Sequence, residues 1–311
     1  GYKVFGTYRR LSTPNFWRLH NLQIFDKVEL IPGDIVDSGS VAQALEKSNP
    51  HEIYHLAAQS FVDVSFNQPL YTGNMTGFGC VRILEQLNKF NNKIKFYQAS
   101  SSEMFGVEKS PVKNEKTPFH PVSPYGVAKV YAFWMVNMYR KIYGLHASNG
   151  ILFNHESPLR GLEFVTRNIT NGVARIKIGL DKKLILGNLE SKRDWGYAPD
   201  YVEGMWKILQ QKKPDDYVIA TGKQYSIKNF INLVAKELKM KIIWKGKGIN
   251  EKGYFDNKPI IECDKNYLRP LDVQTLLGDS KKARKKLKWK PKTSIKYLIK
   301  EMIDFEMKNL L

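Results

Sequence analysis

Cysteine is scarce in this chain: Cys80 and Cys263 are the only two among 311 residues. They stand far apart in no ligand-like spacing. That argues against a disulfide framework and a cysteine metal centre, and makes a reducing cytoplasm the expected compartment. Long apolar runs are missing too. No stretch approaches the roughly 20 apolar residues that cross a bilayer, so no membrane partner is expected. The start has no signal-peptide character, since Gly1 leads straight into a strand-like segment. Acidic residues are short against basic ones, 30 to 49, giving a formal net charge of +19. Affinity for polyanions is one reading of that excess, and a lysine-rich surface is the plainer one. Much of the charge lies late, in Lys281, Lys282, Arg284, Lys285, Lys286, Lys288, Lys290 and Lys292. That run carries Leu287 and Trp289 and reads as a solvated helix followed by a loop at Pro291. It lacks the aromatic interleaving of a single-strand binder, so no nucleic-acid partner is expected.

What is present has an ordinary globular makeup, 42% apolar and 25% charged. Short β-rich runs span Tyr2 to Tyr8, Val28 to Ile31, Ile53 to Ala57, Ile94 to Gln98 and Ser148 to Phe153. Helical patterns lie between them, at Val41 to Lys47, Tyr71 to Phe90 and Tyr125 to Tyr143. This alternation predicts βαβ units and a parallel sheet with helices on both faces. After Asn154 the pattern turns irregular. Helices are expected at Val165 to Ile178, Asp200 to Gln211, Ile227 to Leu238 and Ile295 to Met307. Short strands are expected at Leu184 to Leu186, Tyr217 to Ala220 and Ile242 to Trp244. Lys245 to Lys258 reads as a surface loop.

Two clusters carry chemistry. Tyr125 and Lys129 are four apart, on one face of a helix. An ammonium near a phenol stabilises the phenolate, so the tyrosine can act as a base near neutral pH. Alone, the pair is equally readable as two ordinary helix residues. The second cluster, Ser100-Ser-Ser-Glu103, ends the strand that begins at Ile94. Ligands of open α/β sheets bind at the carboxyl ends of strands. Hydroxyls there can bond a substrate oxygen, and a carboxylate can move protons; a turn or helix cap is the plain alternative.

Several further segments resemble one family. They are Gln98-Ala-Ser-Ser-Ser-Glu-Met-Phe-Gly106, Ser123-Pro-Tyr-Gly-Val-Ala-Lys129, Phe153-Asn-His-Glu-Ser-Pro158, Phe164-Val-Thr-Arg167, Leu186-Gly-Asn-Leu189 and Arg193-Asp-Trp-Gly196. Together with Arg269-Pro270 and Gly278-Asp279, they resemble the GDP-mannose 4,6-dehydratases in order and spacing over essentially the whole chain. The resemblance implies an α/β fold with a Rossmann-type doubly wound parallel sheet and a smaller mixed α/β substrate domain. Residues 1–155 would form the NADP-binding domain. Residues 156–311 would mainly bind the nucleotide-sugar, with some segments returning to the first domain. It implies a homodimer or homotetramer, in which Tyr71 to Phe90 and Tyr125 to Tyr143 build a four-helix interface.

The resemblance also assigns roles. Tyr125 would take the proton of the sugar 4-hydroxyl, with Lys129 lowering its pKa and holding the cofactor ribose. Ser101 stands where the family usually has Thr and keeps the hydroxyl; Ser102 matches the family serine. Glu103 would remove the C5 proton and help water leave from C6. Arg9 and Arg10 follow a strand where NAD-binding relatives place an acid, so NADP is the expected cofactor. Asp34 and Ile35, then Leu56, Ala57, Ala58, Gln59 and Ser60, and then Tyr71, His155 and Arg160 match further cofactor contacts. For His155, a structural core role is the rival. Asn154, Thr166, Arg167, Arg193 and Arg269 match contacts to the substrate, GDP-mannose. Two positions depart from the family pattern: Leu159 replaces an Arg and Asp272 a Glu.

The glycine-rich turn that opens this superfamily is not seen, and Gly1 to Val4 reads as the end of the helix after it. A fragment lacking its first strand is therefore the expectation, with strands two and four facing each other across a gap. Two other functions compete: an epimerase or reductase on another nucleotide-sugar, and a non-catalytic polyanion binder on the same scaffold.

Overall fold

The computed structural model describes residues 1–268 and 271–311. The chain divides into two compact units. Unit 1 comprises Gly1–Met104, Ser123–Gly150 and Ile208–Asp216; unit 2 comprises Phe105–Val122, Ile151–Lys207 and Tyr217–Leu311.

In unit 1, β1 (Val4–Tyr8) pairs in parallel with β2 (Val28–Pro32), and β3 (Glu52–His55) in parallel with β4 (Lys95–Ser101). β5 (Ala147–Leu152) and β10 (Asp216–Ile219) begin in unit 1 and run on past its boundaries at Gly150 and Asp216, and the strand order is β10-β5-β4-β3. Among the described strands β1 and β2 bond only each other. The core explains the helices. Helix α2 (Ser38–Ser48) contributes Val41 and Leu45. Cys80, Ile83, Leu84 and Leu87 form one apolar face of α5 (Gly79–Phe90), at the three- and four-residue spacing of a packed helix. Ala132, Val136 and Tyr139 come from α6 (Pro124–Ile142). Each fully buried leucine here contributes about 1.5–3 kcal/mol.

The helix expected as one piece from Tyr71 to Phe90 has three parts. A short α-helical turn over Pro69–Thr72 passes into a π turn over Gly73–Phe78 and then into α5. The insertion coincides with glycines at 73, 77 and 79. It lies against α6, where a Cβ on Gly77 would meet the Tyr131 ring at 3.2 Å.

Unit 2 holds a sheet of order β12-β13-β14-β7, made of Ile243–Lys245, Lys252–Phe255, Lys258–Cys263 and Leu184–Leu186. Helices α7 (Val165–Lys177), α9 (Ile227–Glu237) and α11 (Ile295–Leu310) pack together. Their buried faces share an apolar cluster with β7 and β14. Two smaller sheets complete the unit: β6 (Asn154–Glu156) beside β9 (Trp195–Tyr197), and β8 (Lys192–Arg193) between Tyr225–Ser226 and Thr275–Leu276.

Two expectations are corrected here. Lys245 to Lys258 is not one surface loop: it holds one turn of 3₁₀ helix at Gly248–Asn250, the hairpin strand β13 and the turn that follows it. Its composition is poor for a strand, but pairing on both sides decides the outcome. Gly253 sits where a Cβ would lie 3.0 Å from Ile242 and 3.1 Å from Ile261. Asp256 and Asn257 turn the hairpin, with φ of 49° and 59°. Those are two left-handed positions that Asp and Asn tolerate. The lysine run is likewise not simply solvated. Helix α10 (Lys281–Leu287) buries Ala283 and Leu287, and Trp289 is 1% exposed with its indole N–H donated to the Asp200 carbonyl at 2.7 Å. The apolar residues of the run share one face, which outweighs the charge around them. Among the described residues no helix is long and apolar enough to cross a membrane, and no group of three or more His, Cys, Asp or Glu could hold a metal ion.

Candidate active site

The expected acid–base set lies within unit 1. Ser123 caps α6, its hydroxyl oxygen accepting the Gly126 N–H at 3.0 Å, and Pro124 takes the first turn, where a missing N–H costs nothing. This start places Tyr125 and Lys129 one turn apart, both nearly buried. The Lys129 Nζ lies 5.7 Å from the Tyr125 ring centroid and donates to the Ala99 carbonyl of β4 at 2.6 Å. Burial pushes the Lys129 pKa down to about 8, with Cys80 opposing the shift. Helix α6 packs on β4 and on the 3₁₀ turn Ser102–Met104 that follows it.

That turn shows why a strand ends in this sequence. Ser101 is the last residue of β4, and its Oγ accepts the Glu103 N–H at 3.2 Å. The turn reading of Ser100 to Glu103 is therefore correct as geometry, and it does not compete with chemistry: Ser101 keeps its own proton to donate, and the Glu103 side chain is partly exposed. Ser102 is buried. The helix that carries Tyr125 and Lys129 thus packs on the strand end and turn that carry Ser101, Ser102 and Glu103.

Apart from Tyr71 and Lys129, which lie on helices, the expected cofactor residues of unit 1 lie past the ends of its strands. Arg9 and Arg10 follow β1, exposed, and the Arg9 Nη1 donates to the Tyr71 hydroxyl at 2.8 Å. Those two distant residues are brought together as one donor cluster. Asp34 lies beyond β2 and accepts the Val36 N–H, while Ile35 packs on the unit 1 core. Leu56, Ala57, Ala58, Gln59 and Ser60 run irregularly from the end of β3, and Leu56 is exposed. Within that run the Gln59 Oε1 is buried without a hydrogen-bond partner. An exposed arginine cluster and small residues past a strand end fit a phosphorylated dinucleotide.

The remaining expected residues belong to unit 2. His155 sits on β6, its Nδ1 2.9 Å from the Phe153 carbonyl oxygen and its ring stacked on Tyr201 at 5.0 Å. Burial lowers its pKa, with the Phe153 contact opposing the shift. Thr166 is fully buried and donates to the Glu156 carboxylate at 2.7 Å. Arg160 places its Nε 3.2 Å from the same carboxylate and lies over the Phe164 ring at 3.7 Å. Arg167 donates to Glu306 at 2.8 Å and to the Arg160 carbonyl at 2.6 Å. Arg193 donates to the Val273 carbonyl at 2.7 Å, with Asp272 3.5 Å away. Asn154 opens β6 beside Trp195, and Leu159 follows in the next turn. Arg269 lies outside the described residues.

Glu156 and Glu306 organise this second group, and neither was singled out from sequence. Glu156 stands inside Asn-His-Glu-Ser-Pro, so its motif pointed to it. Glu306 is 139 residues from its arginine partner, and no local pattern reveals it.

The sequence profile of the family described as GDP-mannose 4,6 dehydratase matches residues 1–302. The GDP-mannose 4,6-dehydratase of Sinorhizobium fredii is 46% identical over 312 residues, covering 97% of this chain and 89% of that protein. Among solved structures, UDP-glucose 4-epimerase of Thermotoga maritima with UDP-glucose superposes with a TM-score of 0.83 at 23% identity, covering 100% of this chain and 93% of that one. The Pseudomonas aeruginosa protein RMD complexed with NADPH gives 0.77 at 21% identity, covering 91% of each chain.

Proposed function

This chain belongs to the GDP-mannose 4,6-dehydratase family, and from that premise we propose that it converts GDP-mannose to GDP-4-keto-6-deoxymannose, using a bound NADP that is regenerated in each turnover. The observation that carries the reading is the packing of α6, with Tyr125 and Lys129, on the end of β4 and the turn after it, with Ser101, Ser102 and Glu103. Only the first two are needed to oxidise a sugar hydroxyl. The carboxylate is what a dehydratase adds, and it favours this reading over an epimerase or reductase of the same fold.

Tyr125 accepts the proton of the 4-hydroxyl. Lys129 beside it favours the phenolate, which is the base form. Ser101 donates a hydrogen bond to the sugar oxygen at C4 and fixes its position, supported by Ser102. When bound, the nicotinamide supplies the hydride acceptor and, later, the hydride donor. With C4 a ketone, the C5 proton becomes acidic, because the resulting carbanion is delocalised onto the ketone oxygen. Glu103 removes that proton and delivers it to the leaving 6-hydroxyl, so water departs; C5 then takes back a proton that Glu103 draws from solvent, which balances the one Tyr125 took from the 4-hydroxyl. Arg9 and Arg10 offer guanidinium groups suited to a 2′-phosphate, which favours NADP over NAD. Lys129 would hold the ribose, and the Leu56–Ser60 run would hold the pyrophosphate. His155 and Arg160 are assigned to the cofactor. Asn154, Thr166, Arg167, Arg193 and Arg269 are assigned to the nucleotide-sugar, with Thr166 and Arg167 acting through the Glu156 and Glu306 networks that hold them.

One experiment tests substrate and cofactor together. Incubated with GDP-mannose, the enzyme is expected to release a 4-keto-6-deoxy sugar nucleotide, and the dinucleotide extracted from it is expected to be NADP. Loss of GDP-mannose without a 6-deoxy product would refute the dehydratase assignment. Recovery of NAD alone would refute the role given to Arg9 and Arg10.

A dimer is part of the same proposal. Phe78, Val127, Tyr131 and Trp134 are exposed apolar residues, three of them on one face of α6, and Phe78 and Tyr131 meet edge to face at 5.3 Å. Covering such a stripe with a second copy removes it from water. Light scattering is expected to give at least a dimer, with Trp134→Glu shifted towards monomer. A parent enzyme that runs as a monomer would end this part of the proposal.

A further inference from the structure

We infer that a buried chain of side chains, Ser100–Asn149–Asp216–Arg140, positions the catalytic end of β4 against α6. The inference rests on the roles proposed above for Ser101, Glu103 and Tyr125. Ser100 is 3% exposed and immediately precedes Ser101. Neighbouring residues of a strand point to opposite faces, so its hydroxyl and that of Ser101 are directed apart. The Ser100 hydroxyl donates to the Asn149 Oδ1 at 3.1 Å. Asn149, fully buried in β5, donates through Nδ2 to the Asp216 Oδ1 at 2.8 Å and approaches the Phe133 carbonyl of α6 at 3.4 Å. Asp216 pairs with both terminal nitrogens of Arg140, at 2.5 and 3.3 Å. The Arg140 Nε donates to the Ala147 carbonyl of β5 at 2.7 Å.

The direction of the asparagine follows from its neighbours. A carboxylate paired with a guanidinium is an acceptor, so the amide nitrogen faces Asp216 and the amide oxygen is left for Ser100. The chain thus runs from the residue before Ser101, through β5 and the first residue of β10, back to the helix that carries Tyr125 and Lys129. Packing does not demand it: β5 is buried along its whole length, and an aliphatic side chain would fill the place of Asn149 without desolvating an amide. What the polar network adds is a fixed register, because each partner that slipped would strand a buried polar group. A shift of β4 moves Ser101 and Glu103 together, and acid–base catalysis depends on their placement. None of the four residues is placed in contact with substrate; they are positioning residues.

Ser100→Ala removes the link nearest the site and leaves the Asn149–Asp216–Arg140 part in place. Its kcat is expected to fall about tenfold, equivalent to ~1.4 kcal/mol. KM for GDP-mannose and the Kd for NADP should stay within about twofold, since binding residues are untouched. Ser100→Thr, which keeps the hydroxyl, is expected to recover most of the rate. Asp216→Asn, at the far end, should also lower kcat, and the double variant should lose less than the product of the two single losses. If Ser100→Ala keeps its full kcat while Glu103→Gln is inactive, the inference is overturned and the site assignment stands. If Glu103→Gln is fully active too, the assignment falls and the inference with it. Strictly multiplicative losses for Ser100→Ala and Asp216→Asn would also overturn it.

Discussion

Glu103→Gln is expected to lose about 10²- to 10⁴-fold in kcat, the usual worth of a positioned acid–base group. The reasoning is one of division of labour. Tyr125 serves the 4-hydroxyl, and no single group can also reach C5 and C6 of the same ring. Glu103 begins two residues past the end of β4, in a turn that Ser101 itself caps. The amide of glutamine is nearly the same shape, so the turn, the fold and substrate affinity should survive. The chemical signature is specific to C5. In deuterated water the parent enzyme should place deuterium at C5 of the product, because Glu103 takes that proton and solvent replaces it. Glu103→Gln should show neither dehydration nor exchange at C5. A variant that still turns over within a few-fold of the parent would remove Glu103 from the mechanism.

Lys129→Met should separate activity from stability in opposite directions. Activity is expected to fall by at least about 10²-fold, because the phenolate of Tyr125 loses the cation beside it. Stability at pH 7 should rise. Lys129 is almost wholly buried, and burial holds its pKa at about 8 against the ordinary lysine value of 10.5. A cation with a lowered folded pKa costs the native state its full desolvation penalty below the folded value. Between about pH 8 and 10.5 the unfolded chain still binds the proton and the folded one does not, so stability rises with pH there. Methionine fills the space of the stem and carries no charge; relief of about 3 kcal/mol, less about 1 for the hydrogen bond lost at the Ala99 carbonyl, leaves a gain at pH 7 on the order of 2 kcal/mol. The advantage over the parent should shrink steadily from pH 8 upwards. An unfolding midpoint for Lys129→Met at or below that of the parent at pH 7 would contradict it.

Much of this was legible in the sequence because the signals were local. The helical pattern read over Tyr125 to Tyr143 is α6, which the structure places at Pro124–Ile142. The strand that ends in Ser101 was bounded by a hydroxyl-rich turn, and the turn is there. Strand Leu184–Leu186 was read at its observed ends. What escaped was set by partners far along the chain. The β13–β14 hairpin has few β-branched residues, yet Asp256-Asn257 between two short runs was a turn signal that could have revealed it. The π turn before α5, packed on α6, is a local departure that a periodicity of 3.6 does not display. Two-residue strands such as Lys192–Arg193 exist only because neighbours pair with them. Expected ligands such as Thr166 and Arg167 read correctly as polar, but their buried partners Glu156 and Glu306 depend on tertiary contacts.

The interleaving of the two units bears on how such a chain can be inherited. Unit 1 collects pieces ending at Met104, Gly150 and Asp216, and unit 2 fills the intervals and the remainder. A single genetic crossover between Met104 and Tyr217 would therefore divide both units between two parents. Asp216 would arrive from one ancestor and Ser100 from the other, while the hydrogen bonds linking them through Asn149 require matched residues. Swapping halves between parents that differ at these positions would leave buried polar groups without partners. Substitution within a shared frame is the route left open to such an enzyme, one side chain at a time.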